Sequence, residues 1–222
     1  MHKILDLFSG IGGFSLGLER TNGFKTIGFC EIDPFCQKVL KQHWQHVPIH
    51  EDIREVSGNE YKDVEVITGG FPCQDVSVGH TWRKAEGIKG ERSGLWSEIV
   101  RLANEIRPKW VICENVAALR TRGLTQCLQD LWSIGYDAEW HVISASSVGA
   151  CHQRERLWII AYPQSKRVER LWAEGEQITR PLDEEFLFIR NSHGEWKVEP
   201  DIRRINDGVP GRVDRLRAIG NL

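Results

Sequence analysis

Short β-rich runs alternate with helix-length amphipathic stretches along most of this chain, and that alternation limits its fold more than any other feature. The β-rich runs lie at 3–8, 25–30, 64–68, 110–114, 139–144 and 157–161, with helical stretches at 12–20, 34–43, 95–106 and 124–134. In the last of these, Leu124, Leu128, Leu131 and Ile134 recur at the helical period. Strands that alternate with helices pair in parallel and are covered on both faces. The final two runs have too little chain between them for a crossover helix, so they are expected to pair antiparallel. The expected fold class is therefore α/β, a mostly parallel twisted sheet with an antiparallel final strand.

The 222 residues suffice for one domain with its own core. With 41% apolar and 27% charged residues, wholesale disorder is excluded. A net charge of -2 excludes a polycation, so nucleic acid would have to be met by a local basic patch. No apolar stretch is long enough to span a bilayer and no secretory leader is visible, so a cytoplasmic protein is expected. The six cysteines, at 30, 36, 73, 113, 127 and 151, show no C-x-x-C spacing, and no metal site is expected. Most should be buried thiols. After Pro163 the composition changes: residues 164–222 hold eleven Lys/Arg and eleven Asp/Glu with little periodicity, which reads as a small irregular C-terminal segment.

Four motifs carry chemistry. In Asp6-Leu7-Phe8-Ser9-Gly10-Ile11-Gly12-Gly13, a strand carboxylate precedes a glycine turn that opens a helix. Such a turn lets the backbone approach a ligand and offers unpaired helix N–H groups. Glu31, followed by Ile32, ends the second strand and suits a ribose diol, and Asp52-Ile53 lies where an adenine edge would fall. That acidic rim suits a cofactor lacking a pyrophosphate, and S-adenosylmethionine is the natural candidate. A tight turn without ligand is the alternative. In Gly69-Gly70-Phe71-Pro72-Cys73-Gln74 a thiol sits in a stiff loop at a strand end, although a lone cysteine is more often a core residue. Downstream, Gly79, Gly87, Gly90 and Gly94 interleave with Arg83, Lys84, Lys89 and Arg92, as in a phosphate-seeking lid or a solvated loop. Glu114, before Asn115-Val116, tips an apolar strand, where partial desolvation raises a carboxyl pKa. Asn115 could instead cap a helix. Gln153-Arg154-Glu155-Arg156 precedes the last strand, as either a site or a charged edge.

In this order and spacing, these motifs resemble the C5-cytosine DNA methyltransferases, over roughly residues 1–163 and again at Arg217-Ala218-Ile219-Gly220-Asn221. The compact tail is most similar to small phage or prophage members. The resemblance implies a Rossmann-like methyltransferase fold in which residues 1–163 bind cofactor and catalyse. It makes 164–205 a short target-recognition segment and 206–222 a return to the catalytic domain. It also implies a reaction. Cys73 adds to C6 of a flipped cytosine in duplex DNA, Glu114 donates to N3, and C5 takes the methyl of S-adenosylmethionine. Arg154 and Arg156 hold the base and a nearby phosphate and favour the thiolate. Cofactor contacts fall on Asp6, Phe8, Ser9, Gly10, Gly12, Gly13, Glu31, Ile32, Asp52, Ile53, Gly70, Pro72 and Asn221. DNA contacts fall on Gln74, Ser77, Arg83, Lys84, Lys89, Arg92, Arg203, Arg204 and Arg212.

His152 stands where family members commonly have glutamine, and after Asn221 only Leu222 remains where they continue into a further helix. A truncated product is therefore expected. Its alternatives to a working DNA enzyme are a weak or inactive remnant that binds cofactor or DNA, and an RNA cytosine-5 methyltransferase. A monomer is expected, and a cognate restriction endonuclease is a compatible partner.

Overall fold

The computed structural model describes residues 1–72, 93–150 and 152–165. Seven strands form one sheet in the order β3-β2-β1-β4-β5-β7-β6: β1 (His2–Leu7), β2 (Phe24–Cys30), β3 (Ile49–His50), β4 (Val66–Gly69), β5 (Trp110–Val116), β6 (Tyr136–Ser144) and β7 (Glu155–Pro163). The strands β1 to β5 are mutually parallel. β7 inserts between β5 and β6 and is antiparallel to both, so the expected mixed sheet is found. The same insertion leaves β6 at the edge.

Five helices are described: α1 (Gly13–Glu19), α2 (Pro34–His43), α3 (Trp96–Ile106), α4 (Leu119–Arg122) and α5 (Leu124–Ser133). Each boundary has a local cause. The Asp33 carboxylate accepts from the Phe35 and Cys36 amides at 2.8 and 3.1 Å, and Pro34 takes the first helical position of α2. In α3, Trp96, Ile99, Leu102, Ala103 and Ile106 form one buried stripe, and the helix stops at Arg107, whose φ is 59, just before Pro108. That stripe, with Leu124, Cys127 and Leu131 of α5, packs on Leu5, Leu7, Ile67, Val111, Cys113, Leu157, Ile159 and Ala161 of the sheet. On the opposite face α1 lies over β1 and β2, and Phe14 meets Trp158 of β7 edge-on with ring centroids 5.4 Å apart.

Cys30, Cys36, Cys113 and Cys127 are buried, as the sequence suggested. Burial pushes the Cys30 thiol up to about 12 and raises Cys113 further still, so both are held neutral. Among the described residues, no helix is long and apolar enough to cross a membrane, and no cluster of three or more His, Cys, Asp or Glu could hold a metal ion.

Register aligns the strand ends. Leu7 pairs with Cys30 and with Gly69, and Gly69 with Cys113. The next residue in each strand path is Phe8, Glu31, Gly70 or Glu114, so these four stand side by side along the carboxyl edge of the sheet. Open α/β sheets take their ligands at that edge.

Candidate active site

The glycine turn is built on left-handed backbone. Phe8, Gly10 and Gly12 have φ of 53, 54 and 86. For Phe8 that region is strained by about 1–3 kcal/mol, the kind of conformation held only where its surroundings over-determine it. Those surroundings are visible. The Ser9 hydroxyl donates to the Asp6 carbonyl at 2.6 Å, the Ser9 amide donates to the Cys30 carbonyl at 3.1 Å, and the Gly12 amide donates to the Ser9 carbonyl at 2.8 Å. At Gly12 a side chain is excluded outright, since a Cβ would lie 2.6 Å from the Trp44 ring. Gly13 differs: a Cβ there meets no described atom within 4 Å.

Glu31 joins the rim to the turn. One carboxylate oxygen accepts from the Gly10 amide at 2.6 Å and the other from the Asp33 amide at 2.8 Å. Ile32 beside it is 72% exposed, a large apolar side chain facing solvent at the mouth of the turn. Asp52 caps the short turn Ile53–Glu55 and is gripped by Arg54, whose Nη2 lies 2.6 Å away. That contact holds the Asp52 carboxyl below its ordinary range. Ile53 itself is buried in the core. Arg101 of α3 fixes this segment by donating to the Ile53 and Val56 carbonyls at 3.0 and 3.1 Å.

Asp6 corrects the sequence reading. Expected at the rim, it has no solvent exposure and lies beneath the turn. Its oxygens accept from the Ser15 hydroxyl of α1 and the Thr68 hydroxyl of β4, both at 2.7 Å. Burial, with a small contribution from the Glu31 charge, raises its pKa to about 6 against the opposing effect of these hydrogen bonds.

At the tip of β5, Glu114 accepts from Arg156 Nε at 2.7 Å, with the two side chains 25% and 20% exposed. Burial raises the Glu114 carboxyl, while the charges of Arg156 and Arg154 and the Arg156 hydrogen bond pull it back, leaving it above the ordinary value. Arg154 is lowered by its own burial and by the like charge of Arg156. Both arginines come from the entry into β7, brought to Glu114 by the pairing of Val116 with Arg156. Gly70 is close: a Cβ on it would lie 3.4 Å from Glu114 Oε2. His152 has a buried Nδ1 that meets no partner among the described residues.

Asn115, read from sequence as a potential helix cap, has another role. It is 3% exposed, and its Nδ2 donates to the Phe71 carbonyl at 3.1 Å. Phe71 is itself buried against Trp96, with ring centroids 5.0 Å apart. The chain is thus anchored up to Pro72, the residue before the candidate nucleophile. Asn115 and the hydroxyls of Ser15 and Thr68 were missed as site residues. Their signal was polarity inside apolar segments. Cys73, Gln74, Ser77, Arg83, Lys84, Lys89, Arg92, Arg203, Arg204, Arg212 and Asn221, with the 164–205 and 206–222 segments beyond Ser165, lie outside the described residues.

The strand-tip carboxyl, the arginine paired with it and the glycine turn belong to the set on which the sequence resemblance rests, and comparison decides it. The family model for C-5 cytosine-specific DNA methylases matches residues 2–209. The chain belongs to that family. Type II methyltransferase M.Sau3AI of Staphylococcus aureus is 33% identical over 198 residues, covering 82% of this chain and 47% of that protein. Type II methyltransferase M2.BsuMI of Bacillus subtilis is 34% identical over 167 residues, covering 72% and 41%. The chain therefore spans about half the length of the curated relatives it matches. Among solved structures, DNMT2 of Spodoptera frugiperda matches with a TM-score of 0.61 at 18% identity, covering 74% of this chain and 50% of that one. Dnmt2 of S. pombe matches with a TM-score of 0.61 at 21% identity, covering 73% and 50%. These two show the fold, a Rossmann-like methyltransferase sheet, that this family member shares.

Proposed function

We propose that this chain transfers a methyl group from S-adenosylmethionine to C5 of cytosine in duplex DNA, with Cys73 as nucleophile. The observation that carries the reading is the half-buried Glu114–Arg156 pair at the carboxyl edge, next to the Gly70–Pro72 segment that delivers Cys73. The matching family, C-5 cytosine-specific DNA methylases, supports DNA as the substrate.

The donor set at the rim fits the cofactor. Glu31 and Asp52 are carboxylates suited to a ribose diol and an amino group, Ile32 offers an apolar face for a base, and the turn after β1 offers close backbone approach. Phe8, Ser9, Gly10, Gly12, Gly13, Glu31, Ile32, Asp52, the Ile53 backbone, Gly70, Pro72 and Asn221 would hold it. When bound it supplies an electrophilic methyl on a cationic sulfur.

The chain's own residues do the rest. Cytosine C5 is a weak nucleophile, and adding the Cys73 thiolate to C6 converts it into an enamine carbon. Burial raises the Glu114 carboxyl and so favours its protonated form, and Glu114 donates to N3 as charge enters the ring. Arg154 and Arg156 hold the base carbonyl and a phosphate, and keep Glu114 close to its working range. After transfer, a base removes the C5 proton and Cys73 leaves. The reaction requires the base to leave the stack, and the basic residues of 83–92 would meet the phosphates around it. The segments 164–205 and 206–222 then serve target recognition and return to the catalytic domain, and a restriction endonuclease is the partner such an enzyme would accompany.

Duplex DNA carrying 5-fluorocytosine blocks the final proton loss, so incubation with S-adenosylmethionine should trap a covalent protein–DNA adduct that Cys73→Ser abolishes. A folded protein that forms no adduct on mixed-sequence DNA is instead a binding remnant, and labelling of transfer RNA in preference to duplex DNA would make it an RNA enzyme.

A further inference from the structure

Asp6 is a carboxylate with zero exposure, and no cation pairs with it among the described residues. A buried ionisable group placed this way is costly and calls for a structural or functional reason. Its partners supply one. Ser15 stands in the first turn of α1, directly after the glycine turn, and its hydroxyl donates to Asp6 Oδ2. Its amide is also directed at this carboxylate, and α1 has no capping side chain of its own at Gly12. Thr68 stands in β4, two residues before Gly70 and five before Cys73, and its hydroxyl donates to Asp6 Oδ1. The carboxylate thus accepts from α1 with one oxygen and from β4 with the other.

We propose that Asp6 is a positioning residue that locks the cofactor turn to the strand delivering the Cys73 loop, and so sets the methyl donor against the nucleophile. The proposal rests on the cofactor and nucleophile assignments above. The two hydroxyls can also accept, so an amide here can keep both arms, and only loss of the polar group severs them. The groups that face Asp6 are the hydroxyl and amide of Ser15 from α1, the hydroxyl of Thr68 from β4, and the Glu31 charge at the end of β2. Burial brings the Asp6 titration to about 6, and the hydroxyls can serve either protonation state.

The test uses the full chain with Asp6→Ala, Asp6→Asn, Ser15→Ala and Thr68→Val. S-adenosylmethionine affinity is followed by calorimetry and methyl transfer by single turnover. Asp6→Ala should bind roughly 10-fold more weakly and transfer more slowly, and Asp6→Asn, which can keep both arms, should restore most of each. Ser15→Ala and Thr68→Val each sever one arm of the same link, so both should lower affinity and transfer. Native affinity and transfer retained in Asp6→Ala would overturn the lock, and so would a loss in one hydroxyl variant that the other does not share. Should Asp6→Ala fail to fold, the two hydroxyl variants decide alone. Should the native chain bind no S-adenosylmethionine, the cofactor reading falls. The lock is then decided by amide exchange: faster exchange at residues 8–14 in Thr68→Val supports it, and unchanged exchange there overturns it.

Discussion

The floor of the glycine turn and the tip of β5 each hold one carboxyl group that burial lifts above its ordinary pKa, and they solve the same problem in different ways. Asp6 is sealed and relies on neutral hydroxyls and an amide. Glu114 keeps a quarter of its side chain exposed and relies on a guanidinium at 2.7 Å. Neutral donors fix direction without supplying a countercharge, so Asp6 can orient its neighbours but cannot exchange protons with a substrate it never meets. Burial favours the protonated Glu114 against the pull of the cation, and partial exposure supplies access, so in the proposed reaction Glu114 can hold a proton and pass it on. Perturbation alone does not make a residue catalytic. Reach decides it.

The largest expected effect separates the two. Glu114→Gln removes the proton carrier while preserving shape, so single-turnover transfer should fall by roughly 10²- to 10⁴-fold with cofactor affinity unchanged. If Glu114→Gln also lost cofactor affinity, the tip of β5 would share the task of the floor, and the contrast would break.

Next in size is the stability cost of the sealed carboxylate. Its folded pKa, about 6, lies above the ordinary 3.8, so the folded state binds the proton more tightly than the unfolded chain. The stabilisation from that proton is fully present below about pH 4 and is lost as pH rises through about 6. At 1.36 kcal/mol per unit the loss amounts to roughly 3 kcal/mol. Asp6→Asn does not titrate. In urea unfolding it should approach the native chain at low pH and gain on it above about pH 6, by up to that amount less what the amide gives up in hydrogen bonds. A native chain whose stability rises steadily from about pH 4 to about pH 8, in parallel with Asp6→Asn, would show that the floor carries no such cost.

The sequence exposed the site's outline because both the alternation of strands with helices and the motif positions follow from local signals. Apolar runs of strand length, separated by helical periods, place Phe8, Glu31, Gly70 and Glu114 at successive strand ends, and parallel pairing lines them up. Depth was not legible. Whether the carboxylate of a strand residue faces a ligand or a helix depends on the pleat and on what packs there. Asp6 meets Ser15 nine residues on and Thr68 sixty-two residues on. Asn115 likewise reads as a local cap because its real partner, the Phe71 carbonyl, lies forty-four residues back. The two-residue strand Ile49–His50 has no pattern of its own and exists through pairing with Phe29 and Cys30. The insertion of β7 between β5 and β6 was similarly hidden, since antiparallel pairing of the last two strands leaves open which of them sits at the edge.

The smallest effect is the most selective. Gly13 begins α1, and a methyl group on it meets no described protein atom within 4 Å, whereas one at Gly12 collides with Trp44. Alanine suits a helix better than glycine, so Gly13→Ala should leave stability unchanged or raise it by up to about 1 kcal/mol. The same methyl stands at the helix start, where the turn's backbone is offered to a ligand. S-adenosylmethionine affinity should therefore fall about 10-fold, measured by calorimetry beside the melting curve. Stability kept and affinity lost would mark the space over Gly13 as the ligand's, directly above the lock at Asp6. Affinity kept would move the cofactor off the turn, and Asp6 would then brace a piece of the fold that no substrate touches.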